Sequence, residues 1–433
     1  MGVNQVSDRS RPEKRQALHR RPAALGFIYA VILTNTVSMG VIIPVFPTLV
    51  KQLGHVGDAH GAQIMGVFGA TWAVMSLIFA PIFGNLSDRY GRRPILLVSM
   101  FGLAFDYVIM ALAPSIAWLF IGRVISGITA SSGSAAGAYV ADISTEEDRA
   151  RNFGRFQAAA NAGILLGPAL GGFVGAWNPR APFWVAAALA FANGLYGLFI
   201  VPESLSHERR APFRWSRANP IGAVGLLVSK AGLLGLAAIY FLAQLSNQTF
   251  SVFQFYTHFR YGWGPFQVGL LLMVLGGGGI LIQGSVAGAA SRRLGERGAV
   301  LAGTSLALVA FIVAGLAPTQ LWFWVSMMIF IFAGITFPSL SSLLSNRVGV
   351  DQQGQLQGAL AILFGLTGLA GPLVFSNIFA WSIGAGGWLR LPGLSMLTGG
   401  LVTLVGLAMA FRYAWPAKPE AGDAIIAPES FAE

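Results

Sequence analysis

One short charged motif occurs twice, 204 positions apart, and no other feature limits the possible folds so strongly. Gly84, Ser87, Arg89, Gly91 and Arg93 reappear as Gly288, Ser291, Arg293, Gly295 and Arg297. The same shift carries Gly154 onto Gly358 and the pair Gly167-Pro168 onto Gly371-Pro372. Three separated stretches sharing one offset indicate two homologous halves in tandem. The first copy is a tight knot between apolar runs at 61–83 and 95–113. Gly84 and Gly91 permit the close backbone approach and positive φ of a very short helix–helix connection. Asp88 stands among Arg89, Arg92 and Arg93, where it can pair with them or accept from exposed helix-end N–H groups.

The apolar runs set the class. Hydrophobic residues make up 55% of the 433 and charged residues only 10%, against roughly 25% charged in soluble domains. Runs of about 20 apolar residues, enough to cross a ~30 Å hydrocarbon layer as helices, recur along the whole length. The expected spans are 24–49, 61–83, 95–113, 117–140, 153–176, 182–201, 231–255, 266–287, 299–316, 319–343, 354–378 and 391–411. This predicts an all-α polytopic membrane protein with twelve transmembrane helices in two six-helix halves. A basic segment at 1–23 precedes the first bundle (24–201), a polar linker occupies 202–230, and the second bundle (231–411) is followed by a tail, 412–433.

The net charge of +11 does not point to nucleic acid, because the charge is distributed by side. Of 28 Lys and Arg, 23 fall before span 1 or in alternate connections, and Lys51, Arg180, Arg260 and Arg390 fall on the other side. The positive-inside rule then places both termini and the knot in the cytoplasm, and the lipid bilayer is the expected surroundings. With no cysteine there is no disulfide framework or thiolate metal site. Within the spans there is no His, no His-Glu-x-x-His and no Gly-x-Ser-x-Gly, so neither an enzyme nor a metal or other cofactor is expected.

Asp106 and Arg123 are the two charges expected well inside the membrane. Asp106 lies about 18 Å along span 3 from Pro94, and Arg123 about 9 Å from the opposite end of span 4. Their similar depth on consecutive antiparallel helices opens an ion pair to them. Intramembrane charges are costly and mark ion or proton paths, although a static structural pair is the alternative. The shift of 204 aligns Asp106 with Ala310 and Arg123 with Met327, so the fold does not require the pair. In span 5, Gly163, Gly167, Gly171 and Gly172 form a small-residue face beside Pro168, which suits close helix packing. Gly276–Gly279 and Gly371-Pro372 are similar. The polar candidates for a cavity are Asn35, Gln63, Asn161, Gln244, Asn247, Gln248, Gln254 and Gln283. There are 31 Phe and 11 Trp to line a site for flat, lipophilic ligands.

These features together resemble the major facilitator superfamily over nearly the whole chain. The knot, Phe105-Asp106-Tyr107, the Gly122-Arg123 and Gly127 stretch, Gly163 to Gly172 and Gln352 to Gly358 resemble, more narrowly, the tetracycline/proton antiporters of the drug:proton antiporter branch. The resemblance implies a monomeric exporter of lipophilic small molecules in the bacterial cytoplasmic membrane, driven by the proton gradient. Asp106 and Arg123 would couple the proton, the knot would latch the cytoplasmic gate, and the span 5 glycines would meet the second half. An importer or uniporter of the same fold is the alternative. Three positions depart from the pattern. The acid expected in span 1 is Asn35, the acid in span 9 is Ala307, and the histidine of span 8 falls near Gly279. The charged groups that would hold a metal–tetracycline chelate and relay its proton are therefore largely missing.

Overall fold

The computed structural model describes residues 10–130, 132–206, 208, 210–212, 225–228, 231–349, 352–384 and 391–414. Arg209, Arg214, Arg217, Lys230 and Arg390, most of the linker and the tail beyond 414 lie outside these residues. Among the described residues the regular structure is helical, and the helices form the twelve spans.

Six spans make the first half. Span 1 is Ser10–Ile42 continued by Phe46–Gly54, span 2 is Asp58–Tyr90, and span 3 is Arg92–Leu112. Span 4 is Ile116–Thr129 continued by Ser132–Ile143, span 5 is Glu146–Gly175, and span 6 is Ala181–Ile200. In the second half, span 7 is Ala231–Asn247 and Phe253–Tyr261, joined by a 3₁₀ turn at Gln248–Ser251. Span 8 begins as Pro265–Leu281 and passes through a π-helical turn at Ile282–Val286. Helix Ala287–Leu316 completes span 8 and, after Gly295, forms span 9. Span 10 is Gln320–Ala333 and Thr336–Ser345, span 11 is Gln353–Ile383, and span 12 is Leu394–Tyr413.

The duplication is visible in the backbone. Gly91 and Gly295 both have positive φ, 109° and 70°, a region that glycine enters without a Cβ clash. In each half the short knot connection therefore turns on the same residue. Helices are interrupted at the first and fourth span of each half. Pro44 and the turn at Gln248–Ser251 mark one matched pair of breaks; Ala130 and Gly334, again 204 apart, mark the other. Bonds of the i→i+3 kind replace helical ones there: Ile43 N–H donates to Gly40 O at 3.2 Å and Gly334 N–H to Ile331 O at 3.1 Å.

Each half has its own core. Tyr107, Met110, Leu119 and Phe183 are fully buried in the first, and Leu236, Val300, Leu340 and Leu356 in the second. The span 5 glycine face is divided between two neighbours. Gly163, Gly167 and Gly171 pack against span 1 of their own half: a Cβ on Gly167 would lie 2.8 Å from Gly40 Cα, and one on Gly163 or Gly171 would collide with Thr36 or the Val41 carbonyl. Gly172 faces the second half, its would-be Cβ 2.9 Å from Gly269 Cα. The expected meeting with the second half thus falls to Gly172 and the Pro168 carbonyl, which a Cβ on Gly269 would approach to 2.5 Å. The other three glycines bring backbones together within one half.

Candidate functional site

The two ends of the molecule are in different states. At the end opposite the knot the halves are bonded together. Gln63 Nε2 donates to Asn377 Oδ1 at 3.0 Å, and Gln254 Nε2 to the Ile43 carbonyl at 2.9 Å. Asp58 accepts from Lys51 Nζ at 2.6 Å and lies 3.0 Å from Nδ1 of His258, which belongs to the second half. Spans 2 and 11 continue this seam inward, with Gly66 against Ser376 and Gly69 against Pro372.

At the knot the bonds remain within the first half. Arg92 holds Asp88 at 2.5 Å and Asp142 at 3.1 Å. Arg92 donates to both carboxylates, charge-assisted bonds that offset the cost of its partial burial. Glu203 accepts from the N–H groups of Arg92 (2.8 Å) and Arg93 (3.2 Å), the first of span 3. It supplies the negative charge that a helix N-terminus favours. Its carboxylate lies so close over Gly91 that a Cβ there would push it aside. Arg93 donates to the Leu198 carbonyl at 2.5 Å, while Arg89 lies over the Tyr90 ring at 5.1 Å. A Cβ on Gly84 would meet nothing within 4 Å, so that position is not crowded.

Between the ends lie two cavities, of about 330 and 430 Å³. They are one pocket made twice. Eight lining residues of the first, Met39, Ile42, Ile43, Phe46, Leu103, Tyr107, Ser126 and Ala130, correspond at the offset of 204 to eight of the second: Ala243, Ser246, Asn247, Phe250, Ala307, Phe311, Phe330 and Gly334. Phe250 lines both and forms the wall between them.

The first cavity carries the charge. Arg123 lines it, with Cζ 4.7 Å above the Phe46 ring and Nη2 3.7 Å from Met110 Sδ, and its buried Nε has no hydrogen-bond partner. Asp106, one turn from these groups, is fully buried, and neither carboxylate oxygen has a partner. Gly122 makes room for it, since a Cβ there would sit 2.7 Å from Asp106 Oδ1. Span 3 and span 4 thus bring the two expected charges together without bonding them. A carboxylate buried without a partner would cost several kcal/mol.

The polar candidates separate into groups. Asn247 and Gln283 line the second cavity and Gln254 the first. Gln63 belongs to the seam. Gln244 bonds Tyr240 at 3.1 Å, Asn161 bonds Gln157 at 3.1 Å, and Gln248 packs on Gly371. Asn35 is buried and lines neither cavity. Gly279 and Ala307, the two departures in spans 8 and 9, both line the second cavity. Sequence reasoning did not single out Glu203, Asp142, His258 or Phe250. The first two could have been noticed as acids directly following spans on a strongly basic side, and Phe250 as the repeat partner of Phe46.

Comparison with known proteins agrees with this architecture. The family model described as Major Facilitator Superfamily matches residues 28–372. Tetracycline resistance protein, class C, of Escherichia coli is 38% identical over 394 residues, covering 90% of this chain and 97% of that protein. The class G protein of Vibrio anguillarum is 37% identical, covering 84% and 92%. Among solved structures, the human organic anion transporter MFSD10 (TETRAN) superposes with a TM-score of 0.65 at 24% identity, covering 90% of this chain and 99% of its own. The nucleoside transporter NupG gives 0.74 at 12% identity, covering 90% and 99%. By its twelve spans, its duplicated knot and these matches, the chain belongs to the major facilitator superfamily.

Proposed function

We propose that this protein is a proton-coupled antiporter that expels lipophilic drugs of the tetracycline-like class by alternating access. Its named relatives are tetracycline resistance proteins over most of their length, and the two-cavity interior suits a lipophilic cargo. In this reading the knot end faces the cytoplasm of a bacterial inner membrane, with both termini on that side, and the structure is the state closed to the outside. The protein works as a monomer and needs no cofactor beyond the proton gradient.

The observation that carries proton coupling is the buried, unpartnered carboxyl of Asp106 beside an Arg123 held on a ring and a thioether. With the proton on Asp106 the two groups stay apart, as here. When the proton leaves, the carboxylate and guanidinium draw together, and that movement pulls Arg123 off Phe46. Phe46 borders the first cavity, so the proton state alters the cargo space. The knot latch is released in this state, with Asp88 held by Arg92 of its own half. In the opposite state Asp88 meets the second half.

The test is proton flux in energised inside-out vesicles, followed with a pH-sensitive dye. Drug added to wild-type vesicles is expected to dissipate the gradient, and Asp106→Asn is expected to bind drug without moving protons. Equal dissipation by both would remove Asp106 from the coupling and leave it a structural residue.

A further inference from the structure

The second cavity has a chemistry of its own. Among the described residues, none of its lining side chains is charged. Phe250 and Phe330 have ring centroids 4.9 Å apart, and Phe330 and Phe311 5.5 Å, a continuous aromatic wall. The hydroxyls at its edge are already engaged: Thr304, Thr336 and Thr403 donate to carbonyls of their own spans at 2.7, 2.9 and 2.8 Å. The amides are not engaged. Asn247 and Gln283 line the cavity, and neither side chain has a partner among the described residues. Amide groups facing an apolar space leave hydrogen-bonding capacity that a ligand can meet. At Gly279 the wall is bare, since a Cβ would meet only the Gln283 amide, at 3.9 Å.

We propose that this cavity binds an uncharged, flat polycyclic ligand, stacked on Phe250, Phe311 and Phe330 and anchored by the amides of Asn247 and Gln283. This deepens the efflux reading above and rests on it for the role of cargo. A volume of about 430 Å³ suits a ligand of three or four fused rings, within the ordinary size range of small-molecule sites. A permanent cation or a positively charged metal chelate would have to leave water without meeting a carboxylate, which disfavours it strongly. The site therefore discriminates by charge as well as by shape.

The test is equilibrium binding to the full chain in lipid nanodiscs, with empty nanodiscs subtracted and no proton gradient applied. Two planar probes are compared at mildly acidic pH: emodin, which is uncharged there, and ethidium, a cation. Wild type is expected to bind emodin at least about 10-fold more tightly than ethidium. Gly279→Phe, which fills the cavity from its bare wall, is expected to weaken emodin about 10-fold or more, about 1.4 kcal/mol, with an unchanged unfolding temperature. Gly279→Asp is expected to raise ethidium affinity about 10-fold, and this second arm decides the matter if the Phe variant does not fold. Equal binding of the two probes by wild type, no emodin binding, or emodin affinity unchanged in a folded Gly279→Phe would overturn the proposal. Because binding is read without a gradient, loss of the site with intact proton flux refutes only the ligand class. Intact binding with no proton flux refutes only the antiport.

Discussion

The two cavities of this protein share eight equivalent wall positions and differ in the one property that divides labour between them. The first has Arg123 on its wall and Asp106 behind it; the second has Met327 and Ala310 at the equivalent positions, both buried. Where the first has Ser126 and Tyr107, the second has Phe330 and Phe311. Duplication supplied one backbone pocket twice, with its helix breaks in register, and the side chains then specialised. The two roles proposed above, a pair that responds to protons and an aromatic slot for a neutral ligand, need opposite surroundings. Separate pockets allow both, and Phe250 keeps them in contact.

The sharpest way to break this comparison is to write the second half's residues into the first. Arg123→Met alone leaves Asp106 without the guanidinium beside it, and drug-driven proton flux is expected to disappear in the vesicle assay. The double variant Asp106→Ala/Arg123→Met should also lack flux yet unfold at or above the wild-type temperature, because apolar residues there replace buried polar atoms that have no hydrogen-bond partner. If the double variant is less stable than both singles, the pair is structural and the division of labour fails.

The next effect concerns packing. Gly171→Val drives a branched side chain into the Val41 carbonyl, and a loss of about 3 kcal/mol or more, or failure to accumulate in the membrane, is expected. Gly172→Ala should spare the first half and disturb only the seam with Gly269. Crosslinking of cysteines placed across the end opposite the knot should then fall while the unfolding temperature changes little.

The smallest effect compares the knots. Gly91 and Gly295 share a positive φ, but Glu203 lies over Gly91 whereas a Cβ on Gly295 would meet nothing within 4 Å. Gly295→Ala should cost about 1–3 kcal/mol from backbone strain alone, since its φ of 70° and ψ of 165° lie where only glycine is at ease, and Gly91→Ala more. Pairing Gly91→Ala with Glu203→Ala should recover the steric part and lose the helix-end charge, so thermal unfolding of the four proteins separates the two contributions.

Much of this was legible beforehand for definite reasons. Apolar runs and side-biased arginines define spans whatever the packing, and an offset shared by Gly84, Gly154 and Gly167-Pro168 reveals a repeat without any structure. Asp106 and Arg123 were legible because charge in a span is rare. What was not legible depends on direction and on partners from distant sequence. Gln63, Asn161 and Gln244 are polar residues in spans, as Asn247 and Gln283 are, but a glutamine bonded across the seam and one facing a cavity look alike in sequence. The glycines of span 5 announced a close contact without saying with which helix; three turned to span 1 and one to span 8. Glu203 and His258 act through groups more than 100 residues away, beyond the reach of local pattern.

The contact between Gly172 and Gly269 has a mechanical consequence. It is a joint between two nearly bare backbones, so parting and rejoining the halves there requires no side chain to leave one rotamer and find another. Interlocked leucines would have to mesh again on each turnover, and each failure to mesh would be a leak. A smooth joint can open and shut by small rigid displacements, which makes it suited to fast, repeated wear.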